Sequence, residues 1–154
     1  MKATDRFVAA AEVLGVTVAV QRYPDGTRTA ADAAAAIGCD VAQIVKSLVF
    51  VVDGSVVLAL TSGAHRVDPV ALAAAFGGSE ARPATPDEAR AATGFAIGGT
   101  PPFGHPAPVP AVVDPHLGTF DVVWAAAGAP DAVFPITPTD LVRVTGAWQA
   151  PFTA

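Results

Sequence analysis

The stretch that most narrows what this chain can fold into runs from Val45 to Val52, through Asp53-Gly54, and on from Ser55 to Leu60. An Asp-Gly pair between two apolar, β-branched runs is the strongest short signal for a two-residue hairpin, because both turn residues must take positive φ. Both arms are apolar enough to be central strands. One residue in the first arm breaks the pattern. Lys46 lies near the start of that arm, and the only other lysine is Lys2 near the N-terminus; every other cation is arginine. Burying an ammonium is unfavourable unless it meets a carboxylate, a backbone acceptor or a ligand anion. On these residues alone two readings stay open: a strand-end lysine that snorkels to water or pairs with an acid, and a cation kept for a ligand.

The flanks of the hairpin set the fold class. Helical spacing of Phe7, Val8, Ala11 and Leu14 predicts a helix over Asp5–Leu14, stopped by Gly15, with a strand at Val16–Gln21 and a turn at Pro24-Asp25-Gly26. Thr29 is the expected N-cap of a helix over Ala30–Ile37 that ends at Gly38. Further helices are expected from Asp68-Pro69 to about Phe76, from Thr85 to about Gly94, and from Thr137 or Pro138 to about Val144. Strands are expected around Ala111–Asp114, Asp121–Ala125 and Ala132–Ile136; the tail Ala147–Ala154 carries no clear signal. Strands joined by short turns, with helices between them out of strict alternation, favour an α+β fold with mostly antiparallel pairing.

At 154 residues, without an internal repeat or linker, a single domain over 1–154 with one substantial core is expected. No run of about 20 uninterrupted apolar residues occurs, so no spanning helix and no membrane partner are expected. The opening residues lack the apolar segment of a signal peptide, and the single Cys39 rules out an intrachain disulfide, which together point to the cytoplasm. A net charge of −5 argues against a protein that grips DNA or RNA through many phosphates. It leaves room for local recognition of one nucleic-acid end.

The segment Gly98-Gly99-Thr100-Pro101-Pro102-Phe103-Gly104-His105-Pro106 is the second feature that invites chemistry. Paired glycines let a ligand approach the main chain, and the prolines stiffen the path, so the amides of Gly98, Gly99 and Thr100 could face an anion or polarised carbonyl; a plain surface turn is the alternative. It is not a phosphate loop, since no Lys-Ser/Thr follows. His65, His105 and His116 lack metal-ligand spacing, so no metal and no cofactor are expected. A Cys39 nucleophile with a histidine base is conceivable, but packing near a helix end is the simpler role. Tyr23 and Phe103 could line a small pocket or simply pack. No protein nucleophile stands out.

With these residues in place, the chain resembles the YbaK/EbsC family, relatives of the editing domain inserted in bacterial prolyl-tRNA synthetases. The resemblance spans Val18 to Gly146. It rests on Gln43-Ile44-Val45-Lys46-Ser47-Leu48-Val49-Phe50, on Gly94 through His105, and on Ala126-Ala127-Gly128 followed by Val133-Phe134-Pro135-Ile136 and Leu141. It implies a mixed, mostly antiparallel, barrel-like curved sheet with surrounding helices. It also implies hydrolysis of the ester that joins a wrong amino acid to the terminal adenosine of a tRNA. Lys46 matches the family's essential lysine, and Gly98 opens a Gly-x-x-x-Pro loop that reaches Pro102. The expected site is therefore Lys46 and Gly98 as the catalytic pair. Tyr23, Thr29, Ser47, Gly99, Thr100, Pro101, Pro102, Phe103, Gly104, His105 and Gly128 form the expected substrate-binding set.

The resemblance also accounts for the missing nucleophile, since attack by water, or by the substrate's own thiol or hydroxyl, leaves the protein only positioning and electrostatics to supply. Relatives that clear cysteine carry a serine just before the glycine matched by Gly128, whereas this chain has Ala125-Ala126-Ala127. A more apolar pocket follows, with Cys, Ala, Ser and Thr all open as the acyl group and tRNA(Pro)-type substrates charged with Cys or Ala foremost. The expected partner is a tRNA acceptor end, with prolyl-tRNA synthetase as a further candidate. A non-catalytic module that holds an acceptor end or a synthetase is the alternative, and a general small-molecule esterase is a third reading.

Overall fold

The computed structural model describes residues 2–154. The hairpin forms as its sequence requires: β2 (Ile44–Val52) and β3 (Ser55–Ser62) pair antiparallel from Val45↔Ser62 to Val52↔Ser55. Asp53 at φ 48° and Gly54 at φ 85° both occupy the left-handed region that the turn demands. The Asp53 carboxylate also accepts the N–H groups of Ser79 and Glu80, each at 2.9 Å, which holds it below the usual carboxylate range and ties the turn to the next segment of chain.

The helices follow their caps. α1 is Ala3–Val13 and α2 is Ala30–Ile37, with the Thr29 side chain accepting from the Asp32 N–H and Gly38 closing it at φ 84°. α3 is Pro69–Ala75, capped by Asp68. α4 is Pro86–Thr93, opened by a reciprocal Thr85–Glu88 capping box, and α5 is Pro138–Thr145, opened by Thr137. Arg82 reaches the same Glu88 carboxylate at 2.7 and 2.9 Å, and with the capping contact this pulls Glu88 down to about 2.

The remaining strands are β1 (Gln21–Arg22), β4 (Ala81–Pro83), β5 (Ala111–Val113), β6 (Val123–Ala126), β7 (Ala132–Ile136) and β8 (Trp148–Gln149). They join one mixed sheet in the order β1-β7-β6-β2-β3-β5-β8, with β4 beside β2 off this path, and the ladder runs open from β1 to β8 without closing. Pairing is antiparallel for β1·β7, β2·β3, β2·β4 and β6·β7, and parallel for β2·β6, β3·β5 and β5·β8. The fold is α+β.

Two sequence expectations change. Of the stretch expected as a strand at Val16–Gln21 only Gln21 enters the ladder, joined by Arg22 just beyond it; among the described residues Val16, Val18 and Val20 pack on the core without a strand partner. The tail is structural: Trp148 and Gln149 extend the sheet, and Phe152 is fully buried.

Both faces of the central hairpin are covered. Val45, Val49, Leu58 and Leu60 face a core shared with Phe7 and Ala11 of α1, Ala89 of α4 and Leu141 of α5. Phe50, Val52, Val57 and Ala59 face the other way, against Leu72 and Ala73 of α3 and against Phe152. The two-residue alternation of a strand therefore sends apolar side chains into two cores, which is why the run reads as uniformly apolar.

Candidate functional site

Along its β3 side, β2 is paired without a break from Val45 to Val52. Its other side is bracketed rather than covered. β6 pairs with Ile44 and Val45 only, and β4 pairs with Phe50 to Val52. Among the described residues no strand pairs on that side from Lys46 to Val49; the Ala84 N–H reaches the Val49 carbonyl at 3.0 Å and marks the end of the interruption. Since the Val49 carbonyl turns to this side, strand alternation turns the N–H and C=O of Ser47 the same way. The Ser47 hydroxyl is buried and, among the described residues, has no hydrogen-bond partner.

A cleft of about 680 Å³ opens along this interruption. Lys46, Ser47, Leu48 and Val49 form one wall; Ile97, Gly98 and Thr100 form another; Thr27, Arg28 and Thr29 close a third, with Trp124, Ala125 and Ala126 of β6 beside them. Among the described residues its lining is mostly apolar and contains two cations, Lys46 and Arg28, but no carboxylate. In a chain of net charge −5 that separation of sign gives the cleft a locally positive character.

Lys46 is half-buried, and its ammonium donates to the main-chain carbonyl of His65 at 2.5 Å. Burial pushes its pKa below the ordinary lysine value, the nearby Arg66 adds to that, and Asp114 opposes it. Among the described residues it forms no salt bridge. Among the described residues its partner is a main-chain carbonyl rather than an acid, so the ammonium charge has no counter-ion at contact distance.

The glycine loop is built from its ends inward. Gly94 closes α4 at φ 80°, and Arg6 donates to the Gly94 carbonyl at 3.0 Å while its guanidinium lies 4.7 Å from the centre of the Phe95 ring. Within the loop the Thr100 hydroxyl and the Gly99 N–H both donate to the Ala96 carbonyl, each at 3.1 Å. His105 Nε2 donates to the Pro101 carbonyl at 2.8 Å. Gly98 sits at φ 93° with open space on its Cβ side, whereas a Cβ on Gly99 would lie 2.8 Å from the Gly128 carbonyl oxygen. Gly99 is thus a contact between the two loops. Its N–H is already used, which corrects the expectation of three free amides; Gly98 and Thr100 keep theirs without an acceptor among the described residues.

Of the expected site residues, the fold brings Lys46, Ser47, Thr29, Gly98 and Thr100 to the cleft. Gly99 and Gly128 support the loop from behind. Phe103 does not line the cleft: it is buried against Phe7 and Phe134, with ring centres 5.3 and 5.7 Å away. Gly104 packs on Phe7 and Ala10, and Pro101 and Pro102 are buried beneath the loop. Burial pushes the His105 imidazole below its usual range, only partly offset by its bond to Pro101. Tyr23 lies off the cleft, its hydroxyl donating to Gln21 Oε1 at 3.0 Å. Cys39 also lies off the cleft, and burial together with Asp40 raises its pKa, the wrong direction for a nucleophilic thiolate. Among the described residues no group of three or more His, Cys, Asp or Glu is placed to hold a metal ion. Arg28, Ile97 and Trp124 were missed; only the position of Arg28 beside the Thr29 cap offered a hint.

The aminoacyl-tRNA editing domain matches residues 24–144, a span that contains the interrupted strand, the glycine loop and the Gly128 turn. The chain belongs to the aminoacyl-tRNA editing domain family. It is 32% identical over 123 residues to YwhH of Bacillus subtilis (strain 168), covering 79% of this chain and 78% of YwhH. Among solved structures it is similar to one described as a candidate trans-editing enzyme for prolyl-tRNA synthetase, at 44% identity and a TM-score of 0.94, covering 100% of this chain and 98% of that one. The protein APE2540 matches at 29% identity and a TM-score of 0.87, covering 97% of this chain and 99% of its own. YbaK-type architecture and an editing domain that acts on aminoacyl-tRNA follow for this chain. Among the described residues no helix is long and apolar enough to cross a membrane.

Proposed function

We propose that this protein hydrolyses the ester of mischarged aminoacyl-tRNA in trans, on small acyl groups of the cysteine or alanine kind carried by tRNA(Pro). The observation that carries this reading is one carboxylate-free cleft lined jointly by Lys46, Arg28 and the Gly98–Thr100 turn. The terminal phosphate or ribose of the acceptor end docks on the cations, which lets an acidic protein hold a nucleic acid by its tip. The acyl group lies toward Ala125 and Ala126, where short side chains leave room for a small substituent.

In the reaction, a water oxygen or the substrate's own side-chain heteroatom attacks the ester carbon. The carbonyl oxygen becomes an oxyanion. The carbon–oxygen bond to the ribose then breaks, and the ribose oxygen takes the proton that the attacking group gives up. With water the products are the free amino acid and uncharged tRNA. The free Gly98 and Thr100 amides suit the oxyanion, for which each preorganised donor is worth roughly 3 kcal/mol. Lys46 orients and anchors; its ammonium has no lone pair to act as a base. Such a reaction belongs in the cytoplasm, with prolyl-tRNA synthetase as the enzyme whose errors it would clear.

The test is a panel of tRNA(Pro) charged with Cys, Ala, Ser, Thr or Pro, each incubated with the protein. Faster loss of the Cys or Ala ester than in buffer, with the Pro ester spared, is expected. If every ester decays at the buffer rate the reading fails, and saturable binding without cleavage would make the protein a binding module instead.

A further inference from the structure

His65 is far in sequence from the neighbouring pair Asp114 and His116, and none of the three lines the cleft, yet the fold gathers them behind Lys46. Asp114 follows β5 directly, with its side chain only 2% exposed. A carboxylate so buried needs several donors. Its Oδ2 accepts from the Ser62 N–H at 3.1 Å and from His65 Nδ1 at 2.7 Å, and its Oδ1 accepts from the His116 N–H at 3.0 Å. An ionised carboxylate only accepts, so the His65 proton is on Nδ1. The His116 ring lies 4.9 Å from the His65 ring, at 36°, and limits its tilt. One carboxylate therefore pins the turn after β3 at both Ser62 and His65. The main-chain carbonyl of that pinned His65 is the acceptor of the Lys46 ammonium.

We propose that His65 and Asp114 are positioning residues for Lys46. Asp114 fixes the His65 ring, the ring fixes its own main chain, and the carbonyl aims one N–H of the ammonium backward so that the others face the cleft. Asp114 acts on charge as well as on geometry. The charged and titratable groups gathered around the ammonium are Arg66 and His65 from the turn after β3, Asp114 and His116 from the end of β5, and Arg28 across the cleft. Burial and Arg66 both favour loss of the Lys46 proton, and Asp114 opposes that loss. Removing the Asp114 charge must move Lys46 deprotonation to lower pH.

The inference relies on the deacylase reading only for its kinetic arm. Lys2 and Lys46 are the only lysines, so ¹³Cε-lysine labelling gives two NMR signals and follows Lys46 without any substrate. In Asp114→Asn the Lys46 signal is expected to titrate at lower pH than in wild type, with Lys2 unchanged. In deacylation, His65→Ala and His65→Gln are expected to lose about ten-fold or more in kcat, as misplacement of an anchoring group does. His65→Asn, whose amide nitrogen occupies the place of Nδ1, is expected to restore most of that loss. A Lys46 titration unchanged in Asp114→Asn overturns the proposal, as does a His65→Asn variant as slow as His65→Ala. If Asp114→Asn does not fold, the His65 series decides. If wild type cleaves no ester the deacylase reading falls, while the NMR arm still decides the positioning.

Discussion

The two sides of β2 are made from the same nine residues and behave as different materials. Toward β3 the ladder is continuous and the side chains around it fill two cores. Away from β3 the ladder stops at Val45 and resumes only at the end of the strand, and Lys46 and Ser47 lie in the interruption. A strand held firmly along one edge can leave main chain and a cation bare along the other without losing its place. Rigidity on one side is what makes the other side usable as a site.

The largest loss of stability is expected on the paired side. Leu60 is fully buried, so Leu60→Ala is expected to cost roughly 2–5 kcal/mol of stability in denaturant unfolding, with m unchanged. A cost under about 1 kcal/mol would mean that the paired side is not the structural one. On the open side the loss should fall on function. Lys46→Ala is expected to lower deacylation by more than about ten-fold, from the loss of positioning and charge together, while the melting temperature stays within a few degrees. A protein that melts far earlier without loss of turnover would return Lys46 to a structural role.

Gly98→Ala sharpens the contrast at the opposite wall. The added methyl meets open space, so only the left-handed backbone at φ 93° is strained, for about 1–2 kcal/mol. The expected result is a modest drop in stability with a larger drop in kcat, measured on the same preparation. The smallest effect concerns acid. Folded His105 resists the proton that the unfolded chain accepts around its ordinary value of 6.5, so the unfolded state binds more protons as the pH falls below that value. Stability is expected to be fully present above pH 6.5 and to decline below it, and His105→Gln should flatten that part of the profile in pH-dependent melts. An unchanged slope in the variant would place the acid sensitivity elsewhere.

How much could be read in advance depends on the range of each interaction. Thr29 with Asp32, Thr85 with Glu88, and Asp53 with Gly54 involve partners within one turn, and all three were legible because caps and tight turns are local chemistry. β4 and β8 were not legible. Ala81–Pro83 and Trp148–Gln149 are too short to show a period, and each is a strand only because a neighbour offers it a ladder. The cleft was half legible. Lys46 and the Gly98 turn stood out as exceptions to local rules, whereas Arg28, Ile97 and Trp124 are unremarkable until three walls converge.

Local sequence was enough for the hairpin, the capped starts of α2 to α5, the family and the oddity of one lysine in an apolar strand, since each depends on residues near one another or on an unbroken motif. It took the packing of distant segments to make β2 continuously paired on one side and interrupted on the other, to occupy the Gly99 amide, and to bring a buried aspartate 49 residues from His65 to pin the carbonyl to which Lys46 is tied. Those outcomes depend on which strand lies beside which, and no local pattern encodes a neighbour that arrives from the other end of the chain.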